Sequence, residues 1–99
     1  PMDEALILAA VDLSGRGMLC WDVPLPTEKV GAFDTELAKE FWLAFVRSCP
    51  GSIHIRQMAG ENTHHILEAV FKGMGRTLKA AVALDEKHLG EIPSTKGTL

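Results

Sequence analysis

Residues 52–84, SIHIRQMAGENTHHILEAVFKGMGRTLKAAVAL, change their hydrophobic period partway along. From Ser52 to Met58 the pattern alternates. Ile53 and Ile55 point one way, His54 and Arg56 the other, which is the period of a half-buried strand. Gly60 to Asn62 reads as a turn. From about Thr63 to Leu84, the apolar residues Leu67, Val70, Phe71, Met74, Leu78 and Val82 recur at helical spacing, while Lys72, Arg76 and Lys79 line a different face. A strand leading at once into an amphipathic helix is the unit from which a helix-covered sheet is built.

Working outward, Ala5–Leu13 is nearly continuous apolar, as a strand buried on both faces would be. Ser14–Gly17 reads as a tight turn, and Met18–Val23 as the second strand of a hairpin with it. Pro24 and Pro26 end that strand, because proline cannot donate to a ladder. A loop follows to about Phe33. Asp34 can then cap a helix whose apolar positions are Leu37, Phe41, Ala44 and Phe45, and Pro50-Gly51 stops it. The tail, Glu91–Leu99, shows no periodicity. The expected order is strand, strand, helix, strand, helix. It predicts an α+β fold, a small sheet of about four strands with both helices on one face, in one domain spanning residues 1–99. Three strands are clear, and residues 24–32 or the tail are where a fourth would lie.

Composition bounds the function. The 99 residues carry a net charge of −3 with dispersed basic residues, which argues against a nucleic-acid or polybasic membrane-binding role. The longest apolar run, Ala5 to Val11, is too short to span a bilayer. Cys20 and Cys49 stand far apart in no metal-type spacing, so two buried free thiols in a reducing cytosol are expected, and with them a cytoplasmic location.

The densest chemical constellation is His64-His65-Ile66-Leu67-Glu68. On a helix Glu68 is four residues from His64 and three from His65, so its carboxylate neighbours both imidazoles. Imidazole nitrogens with carboxylate oxygens suit manganese, iron or zinc. Three donors do not close a site, so others must come from elsewhere in the fold or from another chain. Two plainer readings stay open. His64 aligns with Leu67 and Phe71 and would suit a core position, and Glu68 would pair with Lys72 at the next turn. In the tail, Ser94, Thr95 and Lys96 before Gly97 offer hydroxyls and an ammonium to a phosphate, with Lys72 as a further cation; the alternative is a frayed polar terminus. His54, on the polar face of its strand, and His88 read as structural or incidental. Glu40 alone reads as a solvated carboxylate.

Together these segments are similar to the imidazoleglycerol-phosphate dehydratase family. The matching stretches are PMDEAL at 1–6, VDLSGR at 11–16, FDTELAKEFW at 33–42, HIRQMAGENTHHILEAVFKGMGRTL at 54–78 and IPSTKG at 92–97. The resemblance implies a duplicated enzyme whose two similar halves each carry an HHxxE helix, and this sequence corresponds to the second half. It implies that His64, His65 and Glu68 ligate manganese, two ions per complete site, with Glu68 also the catalytic carboxylate. Glu40 falls where several members have a ligating histidine. Lys72 is implied to contact substrate, and Ser94, Thr95 and Lys96 to hold its phosphate. The implied reaction is dehydration of imidazole glycerol phosphate to imidazole acetol phosphate in histidine biosynthesis. The implied partners are the other half or further copies of this chain. Two other readings stand beside this half-enzyme: a non-catalytic, truncated single repeat that self-associates, with or without metal, and an unrelated small α+β binding domain.

Overall fold

In the computed structural model, which describes residues 1–84, seven elements follow in order. They are β1 (Leu6–Asp12), β2 (Met18–Asp22), β3 (Lys29–Val30), β4 (Phe33–Asp34), α1 (Glu36–Ser48), β5 (Ser52–Ala59) and α2 (Thr63–Val82). The α+β class stands as read: a small mixed sheet and two helices. Among the described residues the main sheet has three strands, and the short strands β3 and β4 pair as a separate ribbon within the stretch read as loop.

The expected hairpin is not formed. β5 lies between β1 and β2, antiparallel to the first and parallel to the second. β1 and β2 do run in opposite directions, but two strand spacings apart, about 10 Å. The Leu13–Gly17 connection is long enough to bridge that gap. The Pro50-Gly51 segment threads beneath it, accepting hydrogen bonds from the backbone N–H of Gly15 (3.2 Å) and Met18 (3.1 Å). Nor is β1 buried on both faces. Its residues alternate, with Ile7, Ala9 and Val11 packed toward the core and Leu6 and Leu8 exposed.

The core lies between β5 and the helices. Ile53 and Ile55 meet Trp42 and Val46 of α1 and Ile66, Ala69, Val70 and Met74 of α2, so both helices cover the same sheet face. In α1 the buried stripe is Ala38, Trp42 and Val46; of the expected Leu37, Phe41, Ala44 and Phe45, the first three are exposed and Phe45 is half-buried against the core. In α2, Leu67, Val70 and Met74 are buried as expected, but the inner face is centred on Ile66 and Val70, and Phe71 and Val82 are exposed. Both helices carry apolar residues over more than one face, so helical spacing alone does not select which face turns inward.

Asp34 does not cap α1. The N-cap is Thr35, whose hydroxyl donates instead to the Thr27 carbonyl (2.7 Å), while Asp34 sits in the ribbon and pairs with Lys29 (3.4 Å). Both cysteines are free; Cys20 is half-buried but Cys49, at the end of α1, is exposed. No described helix is long and apolar enough to cross a membrane.

Candidate functional site

The site gathers at the N-terminus of α2, where β5 hands the chain over through a tight turn. Gly60 has φ of 148°, and a Cβ there would stand 2.7 Å from Cγ1 of Ile66, so the turn presses directly on the first buried apolar residue of the helix. Asn62 is the N-cap, and its side chain accepts from the backbone N–H of His65 (3.0 Å). This places His64 and His65 in the first helical turn, with Glu68 and Lys72 one and two turns on.

His64 is exposed, which removes the core-histidine alternative. Its Nε2 lies 3.6 Å from one Glu68 carboxylate oxygen, while Lys72 Nζ lies 3.3 Å from the other. The two histidines, adjacent on the helix, point apart: their ring centroids are 6.3 Å apart and the planes nearly perpendicular at 73°. They therefore address different positions. His64 and Glu68 also border a groove of about 250 Å³ whose other walls are Val30, Phe33, Leu67 and Phe71.

His65 turns toward the segment before β1. Its Nδ1 lies 2.5 Å from Glu4 Oε1 and its Nε2 3.7 Å from Asp3 Oδ2. The other oxygen of Glu4 accepts the backbone N–H groups of Glu61 (2.8 Å) and Asn62 (3.0 Å). These three hydrogen bonds hold the Glu4 carboxyl well below the usual range, from 4.5 to about 2, with the Asn62 and Glu61 amides the larger causes and His65 the smaller. The same contact with Glu4 raises His65 above 6.5, burial opposing. Asp3 is held in the left-handed region, φ 48°, an unusual conformation for a residue other than glycine. A chain of threonines braces the far side: Thr27 bonds Thr63 (3.0 Å) at the start of α2 and accepts from Thr35 at the start of α1.

Asp3, Glu4, Thr27 and Thr63 were not singled out by sequence reasoning. An acidic pair ahead of an apolar run reads as solvated, and their meeting with α2 is a long-range contact that no spacing encodes. Glu40 is exposed on α1, and among the described residues it makes no ion pair or side-chain hydrogen bond. His54 is exposed on the sheet face away from the helices. Ser94, Thr95, Lys96 and His88 lie outside the described residues.

Within the described residues no three histidine, cysteine or acidic side chains converge as a closed metal site. What they offer are donor pairs, His64 with Glu68 and His65 with Asp3. Nitrogen–oxygen pairs of this kind are chemically suited to a divalent ion such as manganese, provided that further ligands complete the set.

The family model for imidazoleglycerol-phosphate dehydratase matches residues 1–78. This chain belongs to the imidazoleglycerol-phosphate dehydratase family. Imidazoleglycerol-phosphate dehydratases from Desulforamulus reducens and Dinoroseobacter shibae are 56% and 52% identical to it over all 99 residues. The chain covers 50% of the first and 51% of the second, so it spans about half the length of the curated relatives it matches. Among solved structures, the dehydratase from Pyrococcus furiosus superposes with a TM-score of 0.86 at 42% identity, over the whole of this chain and 53% of that one. The Staphylococcus aureus dehydratase gives 0.84 at 46% identity, over 86% of this chain and 50% of that one. Membership in the dehydratase family sets aside the reading of an unrelated binding domain.

The Glu4–His65 contact has a pH signature in the metal-free chain. Glu4 is depressed on folding, so its stabilisation is complete above 4.5 and lost as pH falls toward about 2. His65 is raised, so its share is complete below 6.5 and lost as pH climbs through its folded value. Thermal melts of Glu4→Gln and the parent chain are expected to differ most between these limits and to converge toward pH 2.

Proposed function

We propose that this chain is one half of an imidazoleglycerol-phosphate dehydratase, acting in cytoplasmic histidine biosynthesis to convert imidazole glycerol phosphate to imidazole acetol phosphate. The observation that carries the reading is the His64–His65–Glu68–Lys72 row on α2, its side chains exposed or half-buried rather than in the core, in a chain of this family. His64, His65 and Glu68 would hold manganese, with Glu40 as a further, more remote ligand. When bound, the metal supplies Lewis-acid stabilisation of the deprotonated substrate imidazole.

The rest falls to the side chains. Glu68 lies between the His64 imidazole and the Lys72 ammonium, where its carboxylate would take a proton from the substrate carbon one removed from the ring. The hydroxyl on the carbon beside the ring departs, taking up a proton to leave as water, and the resulting enol becomes the ketone on the next carbon. Lys72 is positioned to meet the substrate's anionic end, with Ser94, Thr95 and Lys96 as the other phosphate ligands, and that grip fixes the reacting geometry. Among the described residues the donor pairs are incomplete, which supports a site finished by the other half or by another copy. Manganese content of size-fractionated protein, followed by a dehydratase assay with a first-half chain added, tests this. Retained metal with turnover in the mixture is expected. Metal-free protein and no turnover in any mixture would overturn it.

A second reading is favoured by one further observation. Phe33, Leu37, Phe41 and Phe71 are 40–50% exposed, and the Phe41 and Phe71 rings lie 5.4 Å apart. An apolar surface of this kind supports self-association of a single, non-catalytic repeat. Gel filtration showing only monomer, with and without manganese, would sink that reading.

A further inference from the structure

We infer that Glu4 is a positioning residue for His65: it fixes the imidazole in the tautomer that leaves Nε2 free to bind metal, while locking the turn that carries the histidine. The inference rests on the metal-binding role proposed for His65. It follows from how the two carboxylate oxygens divide their work. Oε2 accepts the backbone N–H groups of Glu61 and Asn62, and Oε1 faces His65 Nδ1. An ionised carboxylate only accepts, so the proton of a neutral His65 must sit on Nδ1, and the lone pair must sit on Nε2. That nitrogen points toward the Asp3 carboxylate at 3.7 Å. A lone pair facing an anion is an unfavourable pairing unless a cation comes between them. Outer-shell carboxylates that accept from the second nitrogen of a metal-binding histidine act in this way, setting both tautomer and ring orientation.

The anchoring is unusual in its reach. Glu4 stands ahead of β1 and His65 in α2, sixty-one residues apart in sequence. The same carboxylate also binds the turn that precedes the helix, so ring and backbone are held by one group. Asp3, beside it, is kept in the left-handed conformation that aims its own carboxylate at the open nitrogen. Lys72 completes the junction by reaching Met2 Sδ at 3.6 Å.

Glu4→Gln separates positioning from folding. One amide oxygen can still accept from Glu61 and Asn62, which places the amide NH₂ opposite His65 Nδ1. A donor there demands an acceptor, so the proton moves to Nε2 and blocks it. Nitrogen NMR of the 99-residue chain at alkaline pH, without metal, reads the tautomer directly. The parent chain is expected to show His65 protonated at Nδ1 and Glu4→Gln to show it protonated at Nε2, with both chains folded by circular dichroism. Manganese titration of the same two proteins is expected to give about 10–100-fold weaker binding in the variant. An unchanged tautomer in Glu4→Gln overturns the inference, as does equal manganese affinity in the two proteins when both bind. If neither binds manganese, the metal reading of His65 fails, and the tautomer result still decides what Glu4 does to the ring.

Discussion

A chain carrying both His64→Ala and His65→Ala is expected to lose manganese retention altogether while keeping its fold. His64 and His65 are respectively exposed and half-buried, and neither belongs to the hydrophobic core, so removing the rings opens no cavity. The helix should persist, because alanine is the best helix former and the Asn62 cap bonds the backbone N–H of residue 65 whatever its side chain. The functional loss should exceed the roughly 100-fold that marks the upper end of outer-shell substitutions, since the proposed function makes these two residues the ligands themselves. Each single variant should differ in kind: His64→Ala removes the partner of Glu68, whereas His65→Ala leaves Glu4 and Asp3 without their shared imidazole. Elemental analysis of gel-filtered protein measures the loss, and circular dichroism checks the fold. Metal retained by the double variant at the parent level would place the metal elsewhere and defeat the assignment.

Trp42→Ala is expected to cost about 3–5 kcal/mol of stability, enough to unfold much of a domain this small. Trp42 is 3% exposed and stands at the centre of an aromatic cluster, its ring centroid 4.9 Å from Phe41 and 5.4 Å from both Phe45 and Phe71. It joins α1 to α2, so truncating it leaves a void between the helices and loosens the surface beside the groove. Its indole Nε1 is buried without a hydrogen-bond partner among the described residues. Trp42→Phe removes that stranded donor along with some volume and should cost clearly less than alanine. Urea unfolding followed by far-ultraviolet circular dichroism gives both values. A Trp42→Ala midpoint within error of the parent would mean that the aromatic cluster does not hold the helices together.

Much of this protein is local and was legible as such. The alternation of Ile53 and Ile55 with His54 and Arg56 is a property of one strand, and β5 has that burial pattern. The His–His–x–x–Glu spacing is a property of one helix. Its contacts, His64 to Glu68 and Glu68 to Lys72, are i to i+4 neighbours that need nothing but a helix. The family likeness, read from motifs spread along the chain, was legible for the same reason: it needs only the order of residues.

Tertiary structure decided what depends on distant segments. Strand adjacency was one such matter: a short link between two apolar runs looks like a hairpin. Yet β5, whose inner face carries the fully buried Ile53 and Ile55, takes the central place where it hydrogen-bonds on both edges. Another was the inward face of each helix, because α1 and α2 carry apolar residues on more than one side and only packing against the sheet chooses between them. The last was the surroundings of His65. No periodicity links Glu4 to a histidine in the final helix; the link exists because β1 and β5 pair in register and bring the segment before one strand against the turn after the other. The sequence by itself therefore determined the family and the run of candidate groups along α2. The sheet's long-range pairing determined which carboxylate stands behind them, since hydrogen bonds between distant segments form only once the chain has closed on its core.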